Sequence, residues 1–97
     1  MTRLIALLGL ARRAGKLAVG YTAAEQLVKR GERPLVVVAI DAGPGQRGRI
    51  AQWEPVRGLL DQAVTAGDLA TAFGREKLSV VAVSDHGFVK GIEKIGF

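Results

Sequence analysis

Residues 35–40 form an unbroken apolar run, Leu-Val-Val-Val-Ala-Ile, that consists mainly of β-branched side chains. Such a run favours a β-strand, and a strand with no polar alternation must be buried on both faces. Residues 78–83, Leu-Ser-Val-Val-Ala-Val, form a second run rich in β-branched side chains. We therefore expect two central strands in a sheet that helices cover from both sides.

Helical patterns flank these strands. In residues 3–14, Leu4, Leu7, Leu8 and Ala11 recur at helical spacing, and Thr2 is placed to cap the helix start. Residues 17–19 are predicted to be extended. Residues 22–30 are predicted to form a second helix, because Thr22 opens a capping-box pattern.

The remaining elements follow the same logic. Residues 41–48 are predicted to be an irregular turn because of their glycines and Pro44, followed by a short helix over 49–53. Residues 55–60 form a strand candidate, residues 65–73 a capped helix, and residues 87–95 a last helix capped by Asp85. The alternation predicts an α/β fold, a three-layer α/β/α sandwich with a small mixed central sheet, as one domain over residues 1–97.

The positive charge is unevenly distributed. The chain has a net charge of +5, and residues 1–49 hold nine basic and three acidic residues, against five and six in residues 50–97. One-sided charge is typical of polyanion binding, although a basic protein without a partner is the alternative. With no cysteine and a single histidine, disulfides are excluded, and neither a metal nor a cofactor is expected. We expect a cytoplasmic protein without a membrane-spanning segment.

No catalytic constellation is evident. The glycine-rich segment at 43–49 lacks the Gly-Lys-Ser/Thr ending of a nucleotide-binding loop. Asp85 and His86 follow a strand, where an acid/base pair is conceivable, but Asp85 is better explained as a helix cap. Trp53 is expected to be buried against the sheet rather than to stack on a base. We therefore predict a protein that is not an enzyme and has no small-molecule substrate.

The segment 9–22 is the strongest binding candidate. It carries Arg12, Arg13 and Lys16, and Gly20 brings the backbone to the start of the second helix. A helix N-terminus is electropositive and has free N–H groups, so it suits a phosphate. The structural alternatives are that Thr22 caps its own helix and that Gly20 only permits a tight turn.

Several ordered motifs resemble one family. These are Gly-Leu-Ala-Arg-Arg-Ala-Gly-Lys-Leu at 9–17, a second helix led by Gly20, the strand that ends at Asp41, and Val-Ala-Val-Ser-Asp-His-Gly-Phe at 81–88. Together they are similar to the kink-turn RNA-binding superfamily of ribosomal proteins L-seven-Ae and L-thirty-e, especially its small bacterial members. The similarity covers essentially the whole chain.

This resemblance implies a non-enzymatic protein that binds structured RNA, such as a kink-turn or ribosomal RNA, in translation. In the family, the second helix contacts phosphates and G and A edges, and an apolar loop packs on an extruded base. The resemblance places Val81, Ala82 and Val83 on that loop, which is expected to follow the last strand. The RNA-binding residues that we predict are Arg12, Arg13, Lys16, Gly20, Tyr21, Thr22, Asp41, Val83 and Ser84.

The chain departs from the family pattern where bases would be read. The motif Asn and Glu are replaced by Thr22 and Ala23, a Lys one turn later by Gln26, and the Glu before Asp41 by Ile40. Thr and Ala cannot make the directed contacts of Asn and Glu to base edges. Phosphate anchoring survives this comparison, whereas base-edge reading does not. The alternative function is a protein-interaction module that has lost RNA recognition.

Overall fold

The computed structural model describes residues 2–95, which form five helices and four strands. The elements follow one another along the chain as α1 Arg3–Arg13, β1 Leu17–Val19, α2 Tyr21–Lys29, β2 Leu35–Val38, α3 Pro44–Ile50, β3 Gly58–Leu60, α4 Ala66–Phe73, β4 Val80–Val83 and α5 His86–Glu93. None of the helices within residues 2–95 has the length and apolar character needed to cross a bilayer.

The sheet is mixed and has the order β1-β4-β2-β3. Strand β4 pairs antiparallel with both β1 and β2, and β2 pairs parallel with β3. In this register Leu17 lies opposite Val83, and Val19 lies opposite Val81. The pairing therefore brings the start of β4 next to the end of β1.

The two central strands are buried on both faces, as their sequences predict. Every residue of β2 and β4 is buried. Helix α1 packs against α4 and α5, whereas α2 packs against β1 and β4. The predicted α/β/α arrangement is confirmed. Its apolar interior includes Leu4 and Leu8 of α1, Leu69 of α4, and Val89 and Ile92 of α5.

Most predicted helix starts are confirmed by their caps. The hydroxyl of Thr2 accepts from the Ile5 N–H, and the Asp85 carboxylate accepts from the Phe88 N–H. At α4, the Thr65 side chain and the Asp68 side chain each accept from the other residue's backbone N–H. These bonds satisfy donors that a helix leaves free at its first turn.

The second helix begins earlier than predicted. Gly20 is its N-cap, and no side chain caps it, so the predicted capping role of Thr22 is wrong. Tyr21 is the first helical residue, which places Thr22 within the first turn. The local pattern suggested a capping box, but the pairing of β1 with β4 sets where the chain turns.

The prediction of irregular structure over residues 41–48 is also wrong. Helix α3 begins at Pro44, because proline suits the first helical position, where its missing N–H would have no partner. Arg47 projects from this helix and donates to the carbonyls of Ala39 and Ile40 at 3.1 and 2.8 Å. Its guanidinium also lies 3.4 Å from the Asp61 carboxylate. These contacts attach α3 to the end of β2.

A surface ion pair connects the start of β3 to α5. The guanidinium of Arg57 donates two hydrogen bonds of 3.0 Å to the Glu93 carboxylate. This hydrogen bonding lowers the pKa of Glu93 and raises that of Arg57. The strand itself covers only Gly58–Leu60, half of the predicted span of 55–60.

Replacing Arg47 by Met should lower the free energy of unfolding by about 1–2 kcal/mol, less than for fully buried charged bonds because the side chain is partly exposed. The matched control is Arg49→Met. Arg49 is exposed and donates only to the Gly45 carbonyl, at 3.4 Å. Its replacement should change the stability by less than about 0.5 kcal/mol. Urea denaturation measures both, and equal effects would contradict the anchoring role of Arg47.

Candidate nucleic-acid interface

Strand β1 separates the predicted binding residues into two groups. The Gly20 N–H donates to the Val80 carbonyl at 3.0 Å, so Gly20 lies beside the start of β4. Lys16 precedes Leu17, which pairs with Val83 at the end of β4. With a rise of about 3.3 Å per residue, Lys16 and Gly20 are about 13 Å apart. We call the end of the sheet at Gly20 the helix-mouth end, and the end at Lys16 the opposite end.

The helix-mouth end presents an uncapped helix. Gly20 has φ 96° and ψ 165°, and the first turn of α2 contains no acidic residue. The first backbone bond of the helix runs from the Ala24 N–H to the Gly20 carbonyl. The N–H groups of the three residues between them therefore have no partner within the helix. This arrangement can accept a negatively charged oxygen.

Side chains at this mouth differ in their freedom. Thr22 is exposed, whereas Tyr21 is only partly exposed. The Tyr21 ring lies 5.1 Å from that of Trp53, at an interplanar angle of 54°. Trp53 is itself partly buried against the core, in agreement with its predicted burial. The two rings therefore support the start of α2.

Asp41 lies at the same end of the sheet but already has a partner. Strand β2 ends where β4 begins, because Val38 pairs with Val80. The Asp41 carboxylate accepts from the Ala66 N–H at 2.8 Å, at the first residue of α4. Its observed role is thus to hold a helix start, and a carboxylate adds no attraction for a phosphate.

The predicted contacts in β4 are incompatible with the fold. Val81, Ala82 and Val83 are strand residues with no exposed surface, so Val83 cannot touch RNA. Ser84 follows at the opposite end and donates to the Glu32 carboxylate at 3.1 Å. The segment between β4 and α5 is only two residues long. The segment after the last strand therefore lies too far from the helix mouth to cover a base bound there, and that prediction is wrong.

The segment before β4 leads into the helix-mouth end of the sheet, and no sequence motif singles it out. Lys77 is exposed, and Ser79 directly precedes the residue that bonds Gly20. The Ser79 carbonyl accepts from the Ala39 N–H at 2.8 Å, which fixes this segment on β2. The direction of strand pairing places this segment beside Gly20, and no local sequence pattern predicts that position.

The predicted basic cluster lies away from the mouth. Arg12 donates to the Phe73 carbonyl at 3.3 Å, and its guanidinium lies 5.7 Å from the Phe73 ring centre. It is thus docked on the C-terminus of α4, where a cation is favourable. Arg13 and Lys16 are exposed near the opposite end. The structure therefore separates the predicted phosphate seat into the helix mouth and a basic region, Arg13 and Lys16, near the opposite end.

Comparisons with solved structures show that the fold is shared. A Bacillus halodurans protein of unknown function is 25% identical, with a TM-score of 0.82 over 98% of this chain and 97% of that one. A Giardia lamblia 15.5kD RNA binding protein is 21% identical, with a TM-score of 0.70 over 95% of this chain and 80% of that one. No protein-family model and no curated protein matches the sequence. The shared fold agrees with the fold that the resemblance implied.

The conformation of Gly20 predicts an asymmetric response to alanine. Gly20→Ala should lower the free energy of unfolding by about 1–3 kcal/mol, because its φ and ψ fall in a region open almost only to glycine. Gly9→Ala should instead raise it by up to about 1 kcal/mol, because Gly9 lies within α1. A methyl group meets no atom within 4 Å at either site. Urea denaturation compares them, and a neutral Gly20→Ala would contradict this backbone conformation.

Proposed function

We propose that the chain binds structured RNA without catalysis, and that the mouth of α2 is its principal phosphate contact. The observation that carries the proposal is the uncapped, acid-free first turn of α2 on a chain with net charge +5. The fold shared with an RNA-binding protein supports it. Free amide donors and a positive helix end together favour phosphate oxygens.

The separation of the helix mouth from the basic region at Arg13 and Lys16 favours a polymer over a small anion. A mononucleotide cannot contact the Gly20 amides and Lys16 across about 13 Å of strand, whereas an extended or bent RNA backbone can. In this proposal Arg13 and Lys16 contact further phosphates, and Lys77 contacts phosphates beside the mouth. The RNA is a folded one, kink-turn-like or ribosomal, as the family resemblance implies.

Recognition in this proposal depends on shape and charge more than on base identity. Thr22 and Ala23 occupy the first turn of α2, where the resembling family has Asn and Glu. A hydroxyl and a methyl group lack the paired donor and acceptor that read a purine edge. We therefore propose that RNAs of similar bend and different sequence bind with similar affinity.

A protein-interaction module of the same fold is the second candidate. The missing base-reading side chains at Thr22, Ala23 and Gln26 favour it. Capture experiments with and without nuclease separate the two functions. Partners that disappear with the RNA support the first function, and partners that persist support the second.

Thr22→Asp should weaken RNA binding without weakening the fold. The added carboxylate repels a phosphate at the mouth by about 1 kcal/mol, or roughly fivefold in affinity. In the first turn it interacts favourably with the helix dipole, so the unfolding free energy should stay constant or rise by up to about 1 kcal/mol. Fluorescence anisotropy with a labelled kink-turn RNA measures the affinity.

Thr71→Asp is the matched control for this experiment. Thr71 is exposed on α4, so the same residue exchange adds the same charge to a different helix. Its affinity for the RNA should change by less than twofold. Equal losses for the two variants would reveal a long-range charge effect and refute the mouth as the contact.

The salt dependence of RNA binding tests the basic region at Arg13 and Lys16. Arg13→Gln combined with Lys16→Gln should lower the slope of log affinity against log salt by about two, because each cation that is removed leaves one phosphate without its neutralising partner. Lys90→Gln combined with Lys94→Gln removes the same charge from the end of α5 and should leave the slope unchanged. An unaltered slope in the first pair would exclude Arg13 and Lys16 as phosphate contacts.

A further inference from the structure

Helix α1 exposes apolar surface around Leu10, beside the proposed RNA contact at Arg13. Leu10 is 52% exposed, the highest value among the large apolar residues within residues 2–95. Arg3, Ala6, Leu10 and Arg13 recur at spacings of three or four along α1 and so share one side of the helix. We call this side the Leu10 face.

Two grooves border the Leu10 face. One lies between α1 and α4, has a volume of about 500 Å³, and is lined by apolar atoms of Ile5, Gly9 and Phe73. The other lies between α1 and α5 and is lined by Leu7 and Ile95 together with Gly91. Leu10 borders both grooves. The surface is therefore a ridge between two depressions, which can receive side chains from a partner.

The charges around this surface have one sign. Arg12 and Arg13 border the first groove, and Arg3 and Lys94 border the second. Within the described part of the chain, no acidic side chain lines either groove. An apolar surface with a basic rim is complementary to a partner with an apolar centre and acidic margins.

We propose that the Leu10 face binds an amphipathic helix of another protein whose apolar stripe is flanked by Asp and Glu. The partner's apolar residues, spaced by three and four, fill the two grooves on either side of Leu10. Its carboxylates pair with Arg3, Arg13 and Lys94. The missing side chain at Gly9 lets the partner backbone approach α1 closely.

Other occupants fit this surface less well. A second copy in a two-fold dimer would bring Arg3 and Arg13 of both copies together, which is repulsive. A membrane surface favours several protruding apolar side chains, but on this face only Leu10 is large and exposed. RNA would satisfy the cations, but Leu10 and Ala6 offer it neither stacking nor hydrogen bonds.

A display library of helical peptides, randomised on one half of the helix surface, tests the proposal with the intact chain. Enriched peptides should carry apolar residues at helical spacing and an excess of Asp and Glu. Leu10→Glu and Gly9→Gln should each weaken their binding at least tenfold, by repelling the acidic margin and by filling the first groove. Leu59→Glu alters another exposed leucine, on β3, and should have less than a twofold effect.

Each alternative result overturns the proposal. Failure to enrich peptides, enrichment without acidic bias, or binding that is insensitive to Leu10→Glu would do so. Binding to phosphatidylglycerol vesicles that Leu10→Glu abolishes, in the absence of peptide binding, would assign the face to membranes. A parallel tenfold loss of kink-turn RNA affinity in Leu10→Glu would assign it to RNA. If Leu10→Glu does not fold, the Gly9→Gln variant tests the proposal, because it adds a side chain at the surface of α1, within the length of the helix.

Discussion

The antiparallel pairing of β1 with β4 determines where Lys16, Gly20 and Ser84 lie relative to one another. It is short, only three residue pairs, but it fixes Gly20 beside Val80 and Lys16 near Ser84. Because β4 is also buried between β1 and β2, its register is held from both edges. A shift by one residue would turn the apolar side chains of β1 to the wrong face. The position of the helix mouth is therefore a product of sheet register.

Local patterns predicted the elements well, and non-local pairing determined what they missed. The buried runs, the caps at Thr2, Thr65 and Asp85, and the sandwich follow from signals a few residues long. The prediction of irregular structure at residues 41–48 was wrong because it rested on glycine and proline alone. The contacts of Arg47 with the end of β2 stabilise α3 there. The position of Gly20 at the start of α2 was predicted from the sequence. The position of Val80 beside Gly20, and of Ser84 at the other end of the sheet, depended on the direction of strand pairing.

Charge counted along the chain overstates the charge available to a ligand. Arg12 is docked on the end of α4, Arg47 on the end of β2, and Arg57 on Glu93. The first two guanidiniums stabilise helix and strand ends, where free carbonyls attract cations. All three still contribute to the long-range field that attracts a polyanion. Exposed cations such as Arg13, Lys16 and Lys77 remain available to a ligand.

The backbone of Gly20 has a consequence for how this protein could diversify. Because its φ of 96° admits almost no side chain, position 20 cannot be altered without disturbing the turn that places the helix. Thr22 in the first turn of α2 and Lys77 in the segment before β4 are exposed, and neither occupies the interior. Selection can therefore replace the side chains at positions 22 and 77 while the backbone turn at Gly20 stays the same. One scaffold could in this way acquire new ligand preferences through changes that leave its folding unaffected.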